Sequence, residues 1–96
     1  MRLSPKEVTA IVATVKSFDP NAKVFLYGSR VDDKLRGGDI DLLILSEDLG
    51  FSDKVSIVSE LHKKLGEQKI DLSIKKSVDL TIDAFTKKVL STAVEL

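Results

Sequence analysis

Cysteine is absent from the 96 residues, and histidine occurs once. No disulfide and no thiolate metal site can form, and a zinc site of several histidines from one chain is excluded. Any metal would be held by oxygen, which favours magnesium or manganese. A surplus of one charge is missing too, because 15 basic and 15 acidic side chains cancel. Nonspecific nucleic-acid binders show a basic excess, so duplex DNA or RNA is disfavoured as the main partner. No apolar run nears the ~20 residues that span a bilayer. The first residues, Met1 to Glu7, lead into no apolar signal core. These absences give the expectation of a cytoplasmic chain with no membrane partner. The length fits a single domain over 1–96 with one modest core and no room for a second.

What is present reads as alternating helices and strands. Ser4 can cap a helix, Pro5 suits its first position, and Glu7 stands three residues after the cap. Val8, Ile11, Val12, Val15 and Phe18 then recur at helical spacing, and Asp19-Pro20-Asn21 ends the run. Residues 23–27 read as a buried strand followed at once by Gly28-Ser29. The polar stretch 30–38 closes with Gly37-Gly38 and is expected to hold a short helix or turn. Residues 39–46 form the next strand, with Ile40, Leu42 and Ile44 on one face and Asp39, Asp41, Leu43 and Leu45 on the other. A helix capped by Ser52 or Asp53 runs to Gly66, a third strand covers 70–74, and a last helix buries Ile82, Phe85 and Val89. The fold class is α+β, with a small three-stranded mixed sheet and helices packed mainly on one face. The short connection after Tyr27 allows an antiparallel pair, and the long helical crossover before Ile70 suits a parallel one.

The chemistry concentrates between Gly28 and Ile44. Asp39 and Asp41, two apart in a strand, project from one face with Cα atoms ~6.5–7 Å apart. Carboxylates held so repel unless solvated or bridged by cations. Two metal ions ~3.5–4 Å apart would satisfy them, and such pairs serve phosphoryl chemistry. Asp71 interrupts another apolar strand on its polar side and joins the cluster if the two strands are neighbours. Gly28 directly after a strand lets a phosphate approach the backbone, and Ser29 can donate to it. Arg30 and Arg36 are candidate phosphate contacts. Taken singly, Asp-x-Asp fits a solvated strand face, and Gly-Ser fits an ordinary turn. The order of all three is the specific signal. His62 beside Lys63-Lys64 fits a solvated helix face and Lys75-Lys76 a solvated loop; Tyr27, beside Gly28, could stack on a base or receive a nucleotide, but a partly buried core position fits it better.

Gly28-Ser29, Asp39-Ile40-Asp41 and Asp71, in that order from Val24 to Ile74, resemble the DNA polymerase β-like nucleotidyltransferases, in particular the small stand-alone minimal nucleotidyltransferases. The resemblance implies that Asp39 and Asp41 hold two Mg²⁺ ions, with Mn²⁺ an alternative. It implies that Asp71 binds the catalytic ion and helps activate the acceptor oxygen, and that Gly28 and Ser29 cradle the triphosphate. The implied reaction moves a nucleoside monophosphate, AMP from ATP being favoured, onto an acceptor hydroxyl. Relatives of this length are often the antitoxin of a pair with a HEPN-domain toxin, so a HEPN-like protein or a second copy of the chain is the implied partner. One departure is Gly38, where many relatives have Ser before the Asp-x-Asp. The metal ligands are intact, but a hydrogen bond from that Ser is missing. Two other functions compete: a catalytically idle antitoxin that occludes its partner, and a small-molecule transferase of the aminoglycoside type. Zero net charge counts against RNA-terminal transfer.

Overall fold

Ser4 and Glu7 start the first helix by reciprocal capping. The Glu7 amide donates to Ser4 Oγ at 3.1 Å, and the Ser4 amide donates to Glu7 Oε1 at 2.9 Å. The structure, a computed structural model, describes residues 3–28, 39–66 and 68–96. Helix α1, Pro5–Phe18, ends at Asp19, whose carboxylate accepts from the Asn21 amide at 2.9 Å and from Ser46 Oγ at 2.5 Å. That buried bond ties the turn after α1 to the end of the second strand. It also lowers the Asp19 pKa, chiefly through the Ser46 hydroxyl.

The strands are β1, Lys23–Tyr27, β2, Ile40–Leu45, and β3, Ile70–Lys75, with α2, Phe51–Leu65, between β2 and β3. The α2 start differs from expectation: Gly50 is the cap residue, and Asp53 reaches back to accept its amide at 2.8 Å. Two C-terminal helices follow, α3, Asp79–Ile82, and α4, Ala84–Thr92, and then a two-residue strand β4, Val94–Glu95. The sheet therefore has four strands, in the order β3-β2-β1-β4, where the sequence suggested three. A two-residue strand has no room to show alternation, and it is held by pairing Leu26 with Val94 on the open edge of β1. β1 and β2 run antiparallel, and β2 and β3 run parallel, as the two connections suggested. The short helix or turn expected within 30–38 lies outside the described residues.

Ile11 and Val15 of α1 and Ile57 and Leu61 of α2 pack with Val24, Leu26, Ile40, Leu42, Ile44 and Leu72 of the sheet, all nearly or wholly excluded from water. These sheet residues share one face, so the two long helices cover that face as the sequence suggested. The opposite face is not bare, since Leu43 is fully buried there beside Asp41. Over it lies α4, which meets Tyr27 through Phe85 and Lys75 through Asp83. The single C-terminal helix of the sequence reading is broken at Asp83. That residue is extended, caps α4 by accepting from the Phe85 amide at 3.0 Å, and accepts from Thr86 Oγ1 at 2.8 Å. The break turns Ile82 outward and leaves Phe85 half-exposed, while Thr86 and Val89 take the buried positions.

Candidate active site

Strand register assembles the acids. Asp41 has Tyr27 opposite it on β1 and Asp71 beside it on β3. In-register neighbours point to the same face, so the two carboxylates stand side by side on the face opposite the main core. Asp39 lies two residues before Asp41, just ahead of β2, and its Oδ2 is 3.4 Å from Lys69 Nζ. Asp41 is half-buried, whereas Asp71 is exposed. Burial raises the Asp41 pKa, the charges of Asp71 and Asp39 raise it further, and Lys69 opposes them. The site thus concentrates negative charge, which Lys69 among the described residues only partly offsets. Among the described residues no three His, Asp or Glu side chains are drawn tightly enough together to hold a metal ion. The three acids share a region, and Asp39 is engaged by Lys69.

Gly28 closes β1 with φ +78°, in the left-handed region that glycine adopts without strain. A Cβ there would overlap Asp41 Oδ2, so only glycine lets the turn pass this close to the carboxylate. Gly28 therefore lies against the carboxylate of Asp41. Ser29, Arg30 and Arg36, the other candidate phosphate contacts, lie outside the described residues. So does Gly38.

Three residues join the site that the motif did not mark. Tyr27, read from sequence as a core position, lies on the acid face of β1 opposite Asp41, where the Ser73 side chain of β3 acts on its hydroxyl. Burial raises the Tyr27 pKa, Ser73 counters it, and the Asp71 and Asp41 charges add to the rise. Phe85 packs edge-to-face on Tyr27, with ring centroids 6.2 Å apart and planes at 84°. The signal for Tyr27 was its place immediately before Gly28. Ser73 carried one as well, standing two residues after Asp71 on the same strand face. Phe85 carried none, because its place depends on the break at Asp83. His62 lies on the exposed side of α2, with Nε2 3.0 Å from the Gln68 carbonyl, as a solvated helix face would have it. Lys75 is in β3 rather than a loop and pairs with Asp83 at 3.0 Å.

No match was found among curated proteins. Two solved structures share the fold over 93% of this chain. One is a chain of a mutant toxin–antitoxin MntA-HpeT, at TM-score 0.67 and 18% identity, with 70% of that chain covered. The other is a candidate nucleotidyltransferase, at TM-score 0.61 and 23% identity, with 96% of that chain covered. The profile of the family described as Polymerase beta, Nucleotidyltransferase matches residues 9–95, nearly the whole chain with every acid named above. The chain belongs to this family, and it is a nucleotidyltransferase.

Proposed function

We propose that the chain transfers a nucleoside monophosphate from a nucleoside triphosphate, with ATP the favoured donor, onto the hydroxyl of a partner protein in a toxin–antitoxin pair. The observation that carries this reading is the pairing of Asp41 with Asp71 in adjacent parallel strands, beside a Gly28 turn too close for any Cβ. The donor set fits magnesium in kind. It offers hard carboxylate oxygens, and burial together with the repulsion of Asp71 and Asp39 raises the Asp41 pKa, a cost of charge that a divalent cation would relieve. Asp39, Asp41 and Asp71 are the proposed ligands of two Mg²⁺ ions, which when bound would neutralise charge building on the phosphates. Bringing Asp39 in requires it to exchange Lys69 for the cation.

The chain's own residues have distinct tasks in this reading. Gly28 opens the backbone to the triphosphate, with Ser29, Arg30 and Arg36 as further proposed phosphate contacts. Asp71, the exposed acid, faces the acceptor and takes the proton from its hydroxyl. The acceptor oxygen bonds to the α-phosphorus, the bridge to the β-phosphate breaks, and pyrophosphate leaves. The toxin–antitoxin assignment of the MntA-HpeT structure motivates a protein acceptor, with a HEPN-like toxin as the proposed partner. The site is open enough to admit one, since Asp71 is exposed and Asp39 is 40% exposed. No helix among the described residues is long and apolar enough to cross a membrane, and the proposed setting is the cytoplasm.

The test is to incubate the chain with the protein encoded beside it, labelled ATP and magnesium, and to look for label on protein. Asp41→Asn should lose at least about a hundred-fold in labelling, within the usual range for removing a group that moves protons or organises charge. Full neutralisation of the partner by Asp41→Asn would make occlusion the function instead.

A further inference from the structure

Tyr27 and Phe85 form a corner at the edge of the acid cluster. Their planes stand at 84°, with centroids 6.2 Å apart. Tyr27 is fixed by its backbone, which lies in β1 opposite Asp41, and by the edge-to-face contact of its ring with Phe85. Phe85 is fixed by the Asp83 cap at its amide, and Asp83 in turn by its ion pair with Lys75, yet the residue remains 49% exposed. An aromatic ring left half in water on a braced backbone is an unfilled stacking surface. A flat ligand entering the corner would stack on one ring and present its edge to the other.

We propose that this corner seats the nucleobase of the nucleoside triphosphate, an inference that rests on the transferase reading above. Position selects the base over an aromatic acceptor. Tyr27 immediately precedes Gly28, the proposed phosphate turn, and its Cα lies about 5 Å from that of Asp41 across an antiparallel pair. The corner is therefore chained to the phosphate turn through Tyr27, next to Gly28 in sequence and 6.2 Å from the Phe85 ring, so a ligand with phosphate at Gly28 has its base beside these rings. The two rings that form the corner offer carbon faces and no hydrogen-bonding edge of their own. Recognition there is by stacking, which tolerates every base. The seat thus predicts a binding preference for purines by ring size, in keeping with ATP as the donor.

Calorimetric titration of the whole chain in magnesium tests this, using α,β-methylene-ATP, which cannot be transferred, and inorganic tripolyphosphate. Phe85→Leu keeps an apolar side chain on α4 but removes the ring. It should weaken the ATP analogue about ten-fold or more, the range of a lost base–aromatic stack. Tripolyphosphate affinity should not change. Phe85→Trp should restore analogue binding, and Ile82→Ala, at a 75% exposed neighbour outside the corner, should leave both ligands alone. Tyr27 is the only tyrosine and there is no tryptophan, so the wild-type emission reports the corner directly and should respond to the analogue. Equal losses for both ligands in Phe85→Leu, or loss for neither, would overturn the base seat. So would unchanged analogue binding with transfer lost, which would make the corner an acceptor seat. Failure of wild type to bind either ligand would instead bring down the transferase reading beneath it.

Discussion

Burial and two acidic neighbours raise the Asp41 pKa, so the folded chain holds a proton there more tightly than the unfolded chain does. A carboxyl of this kind favours the fold while protonated, and becomes a cost as pH rises through its folded value. Asp41→Asn removes that cost. At neutral pH the variant should melt at a higher temperature than wild type, and the gap should close on acidification below the Asp41 pKa. Its transferase activity should be lost at the same time. Magnesium should raise the wild-type Tm by binding the folded state, and should raise that of Asp41→Asn much less. Thermal melts at several pH values, with and without magnesium, check all three statements; a variant less stable than wild type at neutral pH would refute the charge argument. Gly28→Ala should behave oppositely in stability. Its side chain would sit in the left-handed region, which costs about 1–2 kcal/mol, and would displace the Asp41 carboxylate besides. It should lose activity and melt lower, so the two variants separate damage to the site from relief of repulsion.

At the scale of elements, α4 carries Phe85 and depends on Asp83. The Asp83 pKa is lowered to about 2, chiefly by Lys75, with Thr86 and the Phe85 amide adding to the effect and burial opposing it. A depressed carboxylate stabilises above its unfolded pKa near 3.8 and ceases to as pH falls through the folded value near 2. Amide exchange at Phe85 and Lys87 should therefore accelerate across that window, while α1, capped by Ser4, keeps its protection in the same range. Asp83→Asn retains a capping oxygen and should remove the pH step. Unchanged α4 exchange through the window would show that packing of Thr86 and Val89, and not the cap, holds the helix. This cap also marks where the sequence stopped being legible. Ser4-Pro5-Glu7 announced α1 because all its partners lie within one turn. The alternation of Ile40, Leu42 and Ile44 announced β2, since one face is fully buried. Asp83 followed by Thr86 was an equally local signal, but the helical spacing of Ile82, Phe85 and Val89 masked it. β4 was beyond reach, because two residues carry no pattern and the partner is a strand edge about seventy residues earlier in the chain. The meeting of Asp41 and Asp71 could be foreseen only as a condition, since it depends on which strands are neighbours and in what register.

For the whole molecule, the open site sets the last expectation. The acids lie at one end of a sheet in a body of 32 × 27 × 18 Å, with Asp71 exposed, so triphosphate bound there would meet water on its outer side. Water is then a competing nucleophile, and an incoming hydroxyl gains nothing from being held in place. A partner surface, from another protein or a second copy, would exclude that water and fix the hydroxyl. Phe51, Val55, Val78 and Ile82 are large apolar side chains more than half exposed, and they give the chain surface to offer such a contact. The chain alone should therefore transfer slowly, while the assembled form should be faster by about a hundred-fold or more, a modest share of what orientation can supply. Size-exclusion chromatography with light scattering, run beside the labelling assay on the chain alone and with its encoded neighbour, would join mass to rate. A lone monomer working at full rate would show that the acids and the Gly28 turn suffice without enclosure.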